Sequence, residues 1–535
     1  MKKFFIRILP AISGSEVATY QAFNHGVFEE YQSMADLNYD QKALVSFEWN
    51  ELTHWLMSRK EAIPSSIIDL EQIAKQLSGI KRENSEYSLW NIVKPFYLAE
   101  DMPDLEKIQK IHYGFETENA QQTKKLYQQL LKAMSLLYAD LQTKLIEKDE
   151  QERYSTVESK IRTINLFRSY EGIHICTSNV ADWINSLTKS VYKLRNNLQL
   201  NYGIISLSDK ATIIKKIELD LISADILEMI KEKGYYCFLK DSRHRSPLIN
   251  ALFEEKKATN DLNALLAIGA LKPVNNLVHP QFDSFGTITA RTKVTAPNFQ
   301  HLSRKFRSII TSPKGKKLLY IDYAQFEAGI LANDSKDQVL IGDYNNSDIY
   351  TEIGKRIGIE TYIPEEIKQR KFCKNLFYKY SYGMDIKNHA NVLKDFNLYD
   401  HQATLSPKIL EAFEKYERLE KYREEIKKEL TDKGRIGTHL GNYRYKLDNE
   451  TRLSWALSQR IQGTASLILK KAIINVTCSD KEIEFLLPMH DAALFQVPKE
   501  THLIKMDSIK RKFEYEFQNE CPLITPLANF KNFTD

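Results

Sequence analysis

Two apolar runs that flank a polar break constrain the fold of this chain most. The segment IEFLLPMHDAALFQVP, residues 483 to 498, has the pattern of two β-strands joined by a tight turn at His490 and Asp491. Another strand-like run, LLYID, ends at Asp322. If these strands are neighbours, both carboxylates lie at one sheet edge and form the kind of oxygen site that Mg²⁺ prefers. An aspartate at a strand end is also a common turn or helix-capping residue, and spacing alone leaves both interpretations open.

The length and charge of the chain narrow its class. A chain of 535 residues is too long for one ordinary core, so two or more domains are expected. The net charge is only +5, so any affinity for nucleic acid must come from local patches. The segment RKFRSIITSPKGKK, residues 304 to 317, contains six cations and no acid, which suits a phosphate backbone or a solvated basic loop.

The cysteines and the N-terminus indicate a reducing compartment. The five cysteines are widely spaced and form no CxxC, so neither a disulfide framework nor a zinc site is indicated, and we expect a cytoplasmic protein. Arg7 interrupts the first apolar stretch and Pro10 ends it, so this segment is predicted to be a strand rather than a signal peptide. No stretch reaches the ~20 apolar residues of a membrane span, and no membrane association is expected.

Periodicity divides the chain into two regions. Apolar residues recur at steps of three and four between Leu126 and Leu145, which predicts one buried face of a helix. The charged segment that follows lacks this rhythm, so we place a domain boundary near residue 155. Residues 180 to 265 are predicted to be mainly helical, and strand-like runs resume at LLYID. The second region is therefore mixed α and β.

The segment RKFCKNLFYKYSYGMD predicts a helix with an unusual face. Arg370, Lys374, Tyr378 and Tyr382 follow one another at steps of four and share that face. Because cations resist burial, the face suits a triphosphate at one end and a stacked base at the other. An ordinary amphipathic helix with snorkelling basic residues has the same pattern. Gly383 is predicted to end the helix.

These segments resemble the motifs of the family A DNA polymerases, of the bacterial DNA polymerase I type. DYAQFE from Asp322, the helix just described and MHDAALFQVP resemble motifs A, B and C, in the family's order. GTITARTKVTAPNFQHL resembles the T-G-R and P-N-x-Q segment, and IQGTASLILKKA resembles the Q-G-T-A helix. RIGTHLGNYRYKL matches the segment between motif B and that helix. The resemblance covers residues 165 to 535.

The resemblance implies an α+β multidomain architecture. A right-hand palm, fingers and thumb polymerase fold is expected after an α/β exonuclease-like domain. The implied bounds are a degenerate 3′–5′ exonuclease-like domain at residues 1–155 and a polymerase domain at residues 156–535, with the thumb near 175–280, the palm near 281–342 and 441–535, and the fingers near 343–440.

The resemblance also implies roles for individual residues. Asp322 and Asp491, with the backbone carbonyl of Tyr323, are expected to bind two Mg²⁺ ions, with Mn²⁺ able to substitute. Lys374 is expected to act as a general acid for the leaving pyrophosphate. The implied nucleotide-binding residues are Arg370, Tyr378, Tyr382, Glu327, Gln325 and His490. Among them, Glu327 is expected to be the steric gate that excludes a ribose 2′-hydroxyl. The implied DNA-binding residues are Arg291, Asn298, Gln300, Gln462, Arg304 and Arg307.

The implied activity is template-directed extension of a primer 3′ end with deoxynucleoside triphosphates, without proofreading. Primer-template DNA and these nucleotides are the expected partners, and the sequence does not identify any replication accessory protein. One alternative is a phage-type RNA polymerase, disfavoured by Glu327 and the Q-G-T-A segment. Another is a catalytically weak polymerase-like protein that binds primer-template DNA, suggested by two departures. Ala492 replaces the usual acid after His-Asp, and Gly329 stands where many members have arginine.

Other departures affect the primer-binding segments and the N-terminal region. Ala290 replaces a glycine, and Ser458 and Arg460 replace the usual asparagine and proline. A two-metal nuclease needs several carboxylates, beginning with Asp-x-Glu on the first strand, and none is there. Thr117 stands where the last exonuclease motif has aspartate. The Asp-x-Glu spacings that do occur are predicted to be helix caps, and they start at Asp69 and Asp104. A retained exonuclease-like fold that has lost catalysis is therefore preferred over an unrelated domain or a degenerate active nuclease.

Overall fold

The computed structural model describes residues 2–8, 19–80, 84–221, 225–448, 450 and 453–534. The chain folds into two compact units. The first comprises Met1–Gly172, His279–Ala296 and Gly315–Lys531, and the second comprises Ile173–Val278, Pro297–Lys314 and Asn532–Asp535. None of the helices in these described ranges is long and apolar enough to cross a membrane.

The N-terminal part of the first unit is built on a mixed five-stranded sheet. Its strands are β1 Lys2–Ile8, β2 Thr19–Asn24, β3 Val27–Tyr31, β4 Ala43–Ser46 and β5 Ile67–Asp69. They are ordered β3-β2-β1-β4-β5, with β1 antiparallel to β2 and parallel to β4. The helices are α1 Met34–Leu37, α2 Trp49–Ser58, α3 Leu70–Ser78, α4 Leu89–Ile92, α5 Met102–His112 and α6 Ala120–Glu147. The predicted first strand and the helix predicted over Leu126–Leu145 are confirmed as β1 and α6.

One of the two predicted helix caps in this region is confirmed. Asp69 accepts hydrogen bonds from the backbone N–H groups of Glu71 and Gln72, and so caps α3. Helix α5 instead begins after Asp101, which leaves Asp104 in its first turn. There Asp104 faces the positive end of the helix dipole without being the cap.

The charged segment near residue 155 is helical. Helix α7 Gln151–Arg153 continues through a π-helical turn, Tyr154–Glu158, into α8 Ser159–Glu171. Inside it, Glu158 binds both Arg153 at 2.9 Å and Lys470 at 2.7 Å, and all three side chains are buried. Burial lowers the pKa of Lys470 to about 8, and the Glu158 charge opposes that shift. Charged residues of this segment therefore form buried ion pairs inside the first unit. The domain boundary placed near residue 155 remains a prediction.

The second unit is mainly helical. Its elements are β6 Ile173–His174, α9 Thr177–Tyr202, α10 Lys210–Leu221, α11 Ile226–Lys233, α12 Tyr235–Ser242, α13 Pro247–Ala270 and β7 Leu277–Val278. The two long helices α9 and α13 pack against each other, and β6 pairs with β7. Helix α13 begins with Pro247 behind the capping side chain of Ser246, a favourable helix start because proline lacks a backbone N–H.

The remainder of the first unit contains a four-stranded antiparallel sheet and two smaller strand pairs. The strands of this region are β8 Gln281–Asp283, β9 Lys293–Ala296, β10 Lys316–Tyr323, β11 Arg435–Thr438, β12 Gly441–Tyr445, β13 Glu484–Met489, β14 Ala492–Pro498 and β15 Ala528–Lys531. Four of them form the sheet in the order β13-β14-β10-β15. The hairpin predicted around Asp491 is confirmed as β13 and β14.

Nine helices of the described chain complete this region. They are α14 Phe326–Ser335, α15 Gln338–Asn346, α16 Ile349–Ile357, α17 Glu366–Ser381, α18 Ala390–Asp395, α19 Gln402–Glu414, α20 Glu417–Lys433, α21 Trp455–Ser479 and α22 Leu503–Glu520. Helix α21 is buried over most of its surface and packs against α14, α20 and α22. Helix α17 ends at Ser381, and Gly383 follows with a φ of 103°, as predicted for the helix end.

Candidate active site

Asp322 lies near the end of β10, and Asp491 lies in the turn just before the neighbouring strand β14. In the pairing of β10 with β14, Asp322 lies opposite Ala492, the residue after Asp491. The backbone N–H of Tyr323 donates to the carbonyl oxygen of Asp491 at 3.2 Å. His490, in the turn before Asp491, is exposed and has a left-handed φ of 52°. The predicted convergence of Asp322 and Asp491 is therefore observed, at one end of the two inner strands of the sheet.

Charged groups of both signs surround Asp491. Burial raises the pKa of Asp491 to about 6, and the negative charges of Glu327 and Asp322 act in the same direction. The positive charges of Arg291 and Lys374 partly oppose them. The Asp491 carboxylate has no hydrogen-bond donor among the residues that the structure describes. A cation placed here would relieve the repulsion between these carboxylates.

Asp322, in contrast, has a cationic partner. The ammonium group of Lys531, on β15, forms an ion pair with the Asp322 carboxylate. Strand β15 lies on the other side of β10, where Asp322 is opposite Asn529. No sequence motif pointed to Lys531, because the two residues are 209 positions apart and only the sheet joins them.

Glu327 is held by two partners. Its carboxylate binds the guanidinium of Arg291 at 2.5 Å and accepts a hydrogen bond from the hydroxyl of Tyr382. Burial raises the pKa of Tyr382, and the Glu327 charge raises it further, whereas a hydrogen bond with Gln462 lowers it. The structure thus brings together four residues predicted from four separate motifs, Arg291, Glu327, Tyr382 and Gln462.

Gln325 connects the start of α14 to the start of α16. It has a φ of 49°, and its side-chain oxygen accepts a hydrogen bond from the backbone N–H of Ile349 at 2.8 Å. The side chain that was predicted to bind nucleotide is therefore used for a contact between two helices in this structure.

The four residues predicted to share a face of α17 do so. Arg370 and Lys374 are exposed, and Tyr378 and Tyr382 are half-buried. The two tyrosine rings are nearly parallel, with their centres 6.2 Å apart. Arg370 forms an ion pair with Asp348 at 2.6 Å. The ammonium of Lys374 lies 5.6 Å from the centre of the Tyr378 ring, within the range of a cation–π contact.

Two residues next to this face were missed from the sequence. Asp348 caps α16 by accepting a hydrogen bond from the backbone N–H of Thr351, and Tyr350 follows in the first turn. The local sequence signal for Asp348 was that of an ordinary helix cap, and Tyr350 resembled any core aromatic residue. Their position beside Arg370 and Tyr378 depends on the packing of α16 against α17.

The donor set fits a divalent cation that substrate oxygens complete. The buried Tyr323 side chain donates its hydroxyl to the carbonyl of Phe513 at 2.8 Å, so only its backbone is available at the site. In the described part of the chain, no three His, Cys, Asp or Glu side chains are grouped to hold a metal ion by themselves. Two carboxylates with substrate phosphates are the usual Mg²⁺ arrangement, and Asp322 with Asp491 satisfies its protein half.

The remaining predicted DNA-binding residues belong to the second unit. Asn298 caps a 3₁₀ turn by accepting from the backbone N–H of His301 at 3.2 Å, and Gln300 lies within that turn. Arg304 is exposed. The Arg307 guanidinium stacks 5.2 Å from the centre of the Phe533 ring. A role for these residues in binding DNA remains a prediction.

The structure explains one departure from the family pattern, at Gly329, and shows the surroundings of two others, Ala290 and Ala492. A side chain at Gly329 would place its Cβ 2.7 Å from the Tyr344 ring and 2.9 Å from Ile524, so there is no space for an arginine. Ala290 is buried with a φ of 57°, a conformation that costs glycine least, and this accounts for the family's glycine there. Ala492 is fully buried between the strands and supplies no further oxygen ligand.

Comparison with known proteins agrees with this geometry. The sequence profile of DNA polymerase family A matches residues 237–534, more than half of the chain. The chain belongs to DNA polymerase family A, which confirms the resemblance predicted from the motifs.

The similar proteins are bacterial DNA polymerases. DNA polymerase I of Lactococcus lactis is 23% identical over 92% of this chain and 60% of the relative. DNA polymerase I of Bacillus subtilis is 23% identical over 91% and 59%, and that of Caldicellulosiruptor bescii is 28% identical over 49% and 33%. The chain thus spans at most 60% of the length of these three relatives.

A solved structure shares the fold. The POL domain of Pol1 from M. smegmatis, in complex with DNA primer-template and dNTP, superposes with a TM-score of 0.73 at 18% identity. The match covers 99% of this chain and 95% of that chain. The helix-rich α+β polymerase fold expected from the sequence is therefore confirmed.

Proposed function

We propose that this protein is a template-directed DNA polymerase that extends a primer 3′ end with deoxynucleoside triphosphates. The observation that carries the proposal is the position of Asp322 near the end of β10, beside Asp491 in the turn before β14, with the charges of Lys374 and Glu327 acting on Asp491. Phosphoryl transfer needs this combination of metal-binding oxygens with cations for the phosphates. Two comparisons support this proposal. The chain belongs to DNA polymerase family A, and its fold is similar to that of the POL domain of Pol1, which was solved in complex with DNA primer-template and dNTP.

Asp322, Asp491 and the backbone carbonyl of Tyr323 are proposed to hold two Mg²⁺ ions, with Mn²⁺ able to substitute. When bound, the metal pair clamps the attacking and leaving oxygens of the displacement. Lys531 is bonded to one oxygen of Asp322, so a metal ion that binds this oxygen requires the release of Lys531. The pair is half-exposed, and such pairs contribute only about 0–1 kcal/mol, so the release costs little.

The cationic end of the α17 face is proposed to bind the triphosphate. Lys374 and Arg370 are exposed there, and Lys374 is proposed to donate a proton to the leaving pyrophosphate. Arg370 is paired with Asp348 in the free protein, so a bound triphosphate competes with that carboxylate. Exchange of one anionic partner for another keeps the guanidinium neutralised in both states.

Glu327 is proposed to be the steric gate that excludes the ribose 2′-hydroxyl. Its bonds to Arg291 and Tyr382 fix the carboxylate in one position, which a gate needs in order to distinguish two sugars. Tyr382 and Tyr378 are proposed to pack the new base pair and its sugar.

The contacts to DNA are also proposals. Gln462, Arg291 and His490, in the first unit, are proposed to hold the primer terminus and the minor-groove face of the new pair, where degenerate acceptors report shape rather than sequence. Asn298, Gln300, Arg304 and Arg307 are proposed DNA contacts of the second unit. Division of the polymerase domain into palm, fingers and thumb is supported by the compactness of the second unit, which contains the expected thumb.

The N-terminal region is proposed to be an exonuclease-like domain that has lost proofreading. The superposition on the POL domain of Pol1 extends over 99% of the chain, which supports a family fold in this region. Asp69 is paired with Arg162 at 2.9 Å and caps α3, so it is not available to a metal ion. Thr117 is exposed. The first strand has no Asp-x-Glu pair, and the segment that follows it, residues 9–18, lies outside the described residues.

Primer extension with Mg²⁺ tests the polymerase proposal. The wild type is expected to extend a DNA primer with dNTPs. The assay compares dNTPs with rNTPs, and a DNA template with an RNA template. Asp322→Ala and Asp491→Ala should each reduce extension about 100-fold or more, because each removes a metal ligand worth several kcal/mol in the transition state. Binding of primer-template, measured by fluorescence anisotropy, should change little.

Asp507→Ala is the matched control, because Asp507 is exposed on α22 of the same unit. Its extension rate should equal that of the wild type. Extension by Asp322→Ala or Asp491→Ala at more than a few per cent of the wild-type rate would contradict the assignment of the ligands.

A primer with a 3′ mismatch and an end label tests the loss of proofreading. Incubation with Mg²⁺ or Mn²⁺, without nucleotides, should leave its length unchanged. Shortening that disappears in Asp69→Ala and persists in Asp322→Ala would demonstrate an active nuclease in the N-terminal domain.

A further inference from the structure

Tyr350 contacts three of the four residues on the candidate nucleotide-binding face of α17. It lies in the first turn of α16 and is only 1% exposed. Its ring centre is 4.9 Å from the guanidinium of Arg370 and 5.9 Å from the ammonium of Lys374. Its ring also lies 6.1 Å from that of Tyr378. One buried side chain therefore supports both the cationic and the aromatic parts of the face.

The two tyrosine hydroxyls are hydrogen-bonded to each other. The hydroxyl of Tyr350 donates to the hydroxyl oxygen of Tyr378 at 3.2 Å. A phenolic hydroxyl has one proton and can accept as well as donate. Since Tyr378 accepts from Tyr350, its own proton points away from Tyr350 and is free for another acceptor. The Tyr350 hydroxyl thus fixes the direction in which Tyr378 donates.

The start of α16 is itself held in place. Asp348, two residues before Tyr350, accepts from the backbone N–H of Thr351 at 3.0 Å and pairs with Arg370. Gln325 accepts from the backbone N–H of Ile349. These contacts leave the Tyr350 ring little freedom, so the position of its hydroxyl is set by the fold.

We propose that Tyr350 is a positioning residue for sugar selection, and that it acts through Tyr378. Tyr378 stands where many family members have phenylalanine, and its hydroxyl is expected to make the protein tolerant of dideoxynucleotides. Tyr350 supports this effect by holding the Tyr378 hydroxyl in one orientation. The inference rests on the proposed polymerase function and deepens it. Tyr350 touches no substrate in this scheme, and its effect is transmitted by one hydrogen bond.

The test compares kcat/KM for a dideoxynucleotide and the matched deoxynucleotide in single-nucleotide extension. Tyr378→Phe should increase discrimination against the dideoxynucleotide. Tyr350→Phe should shift the ratio in the same direction by a smaller factor, about 2- to 10-fold, as expected for one hydrogen bond of modest net strength. The double variant should match Tyr378→Phe, because the Tyr350 hydroxyl has no route of its own to the sugar.

Tyr380→Phe is the matched control, since Tyr380 is on the same helix and its hydroxyl lies 3.5 Å from Glu420, away from this face. Its ratio should equal that of the wild type. Thermal unfolding of each variant confirms that it is folded. A purely structural role of Tyr350 would lower kcat/KM for both nucleotides equally.

Three outcomes separate this inference from the proposed function. An unchanged ratio in Tyr350→Phe, with a shifted ratio in Tyr378→Phe, would overturn the inference and leave the polymerase function intact. An unchanged ratio in both would overturn the inference together with the assignment of Tyr378 to the sugar. A wild type that extends no primer would overturn the proposed function itself.

Discussion

Two groups of carboxylates in the first unit differ in how the protein surrounds them. In the N-terminal region, Asp69 binds Arg162 and two backbone N–H groups. Glu71 accepts from the backbone N–H of Leu89 at 2.8 Å and of Glu48 at 3.2 Å. At the candidate active site, the Asp491 carboxylate has no such donor within the described ranges.

The pKa values reflect this difference. Burial acts to raise the pKa of Glu48, but hydrogen bonds from His112 and Tyr113 outweigh it, and the pKa lies below its ordinary value. Burial raises the pKa of Asp491 to about 6, and further negative charges add to the shift. A carboxylate whose lone pairs are used by protein donors is a structural element, whereas one without donors, held near other carboxylates, is available to a cation.

Glu71 is an intermediate case. Burial and the charge of Asp69 raise its pKa, although its oxygens accept two backbone hydrogen bonds. Burial therefore disfavours the charged form in both regions. The two regions differ in the number of hydrogen-bond donors that the protein supplies to the carboxylates, and this difference leads to four predictions.

The largest effect is expected from Asp69→Ala. The free energy of unfolding should fall by about 3–5 kcal/mol, because the buried Arg162 guanidinium loses its carboxylate partner. Urea denaturation measures the change. Arg162→Met in the same background should cost much less than it does alone, since the pair is then already broken. A loss below about 1 kcal/mol for Asp69→Ala would show that this carboxylate is not structural.

Asp491→Asn should raise the free energy of unfolding, whereas Asp69→Ala should lower it. The folded pKa of Asp491, about 6, exceeds its ordinary value of 3.8, so its charge costs stability. That cost is absent below pH ~4, develops as the pH rises through the folded pKa, and is complete above it. The metal-free variant should therefore be more stable than the wild type by about 1–3 kcal/mol at pH 7.5, with a smaller gain at pH 5.

Thermal unfolding in EDTA at the two pH values measures this effect. Primer extension by Asp491→Asn should be lost at the same time, a gain in stability at the cost of function. If the variant melts at a lower temperature than the wild type at pH 7.5, the charged Asp491 carboxylate does not destabilise the fold, and the prediction is wrong.

Glu327 combines the two situations, because it lies at the candidate active site and has two protein partners. Glu327→Ala should raise the ratio of kcat/KM for a ribonucleotide to that for the deoxynucleotide about 10-fold, equivalent to about 1.4 kcal/mol, by opening space beside the 2′ carbon. Glu327→Gln keeps the size of the side chain and is the matched control, with the ratio expected close to that of the wild type. Equal ratios in all three proteins would place the gate elsewhere.

The smallest effect is expected from Thr117→Asp. Thr117 is exposed, so the substitution should change the free energy of unfolding by no more than about 0.5 kcal/mol. It should also restore no nuclease activity, because one added carboxylate does not free Asp69 from Arg162. Shortening of the mismatched primer by this variant would show that the N-terminal carboxylates remain available to metal ions.

Several features of the molecule could be predicted because they are written in local sequence patterns. Helix α6 follows from its repeating apolar face, and the hairpin of β13 and β14 from two apolar runs around a polar break. The shared face of Arg370, Lys374, Tyr378 and Tyr382 follows from the 3.6-residue turn alone. Asp69 was recognised as a cap for the same reason, since a cap and its helix are adjacent in the chain.

The sequence by itself therefore determined the family, the main local elements and the candidate residues of each motif. Only the tertiary structure decided how those residues are partnered. Lys531 reaches Asp322 across 209 positions, and Arg162 reaches Asp69 across 93. Tyr350 reaches Tyr378 through the packing of two helices. Local periodicity reports which side of an element a residue occupies, but the identity of its neighbour depends on which elements the whole chain packs together.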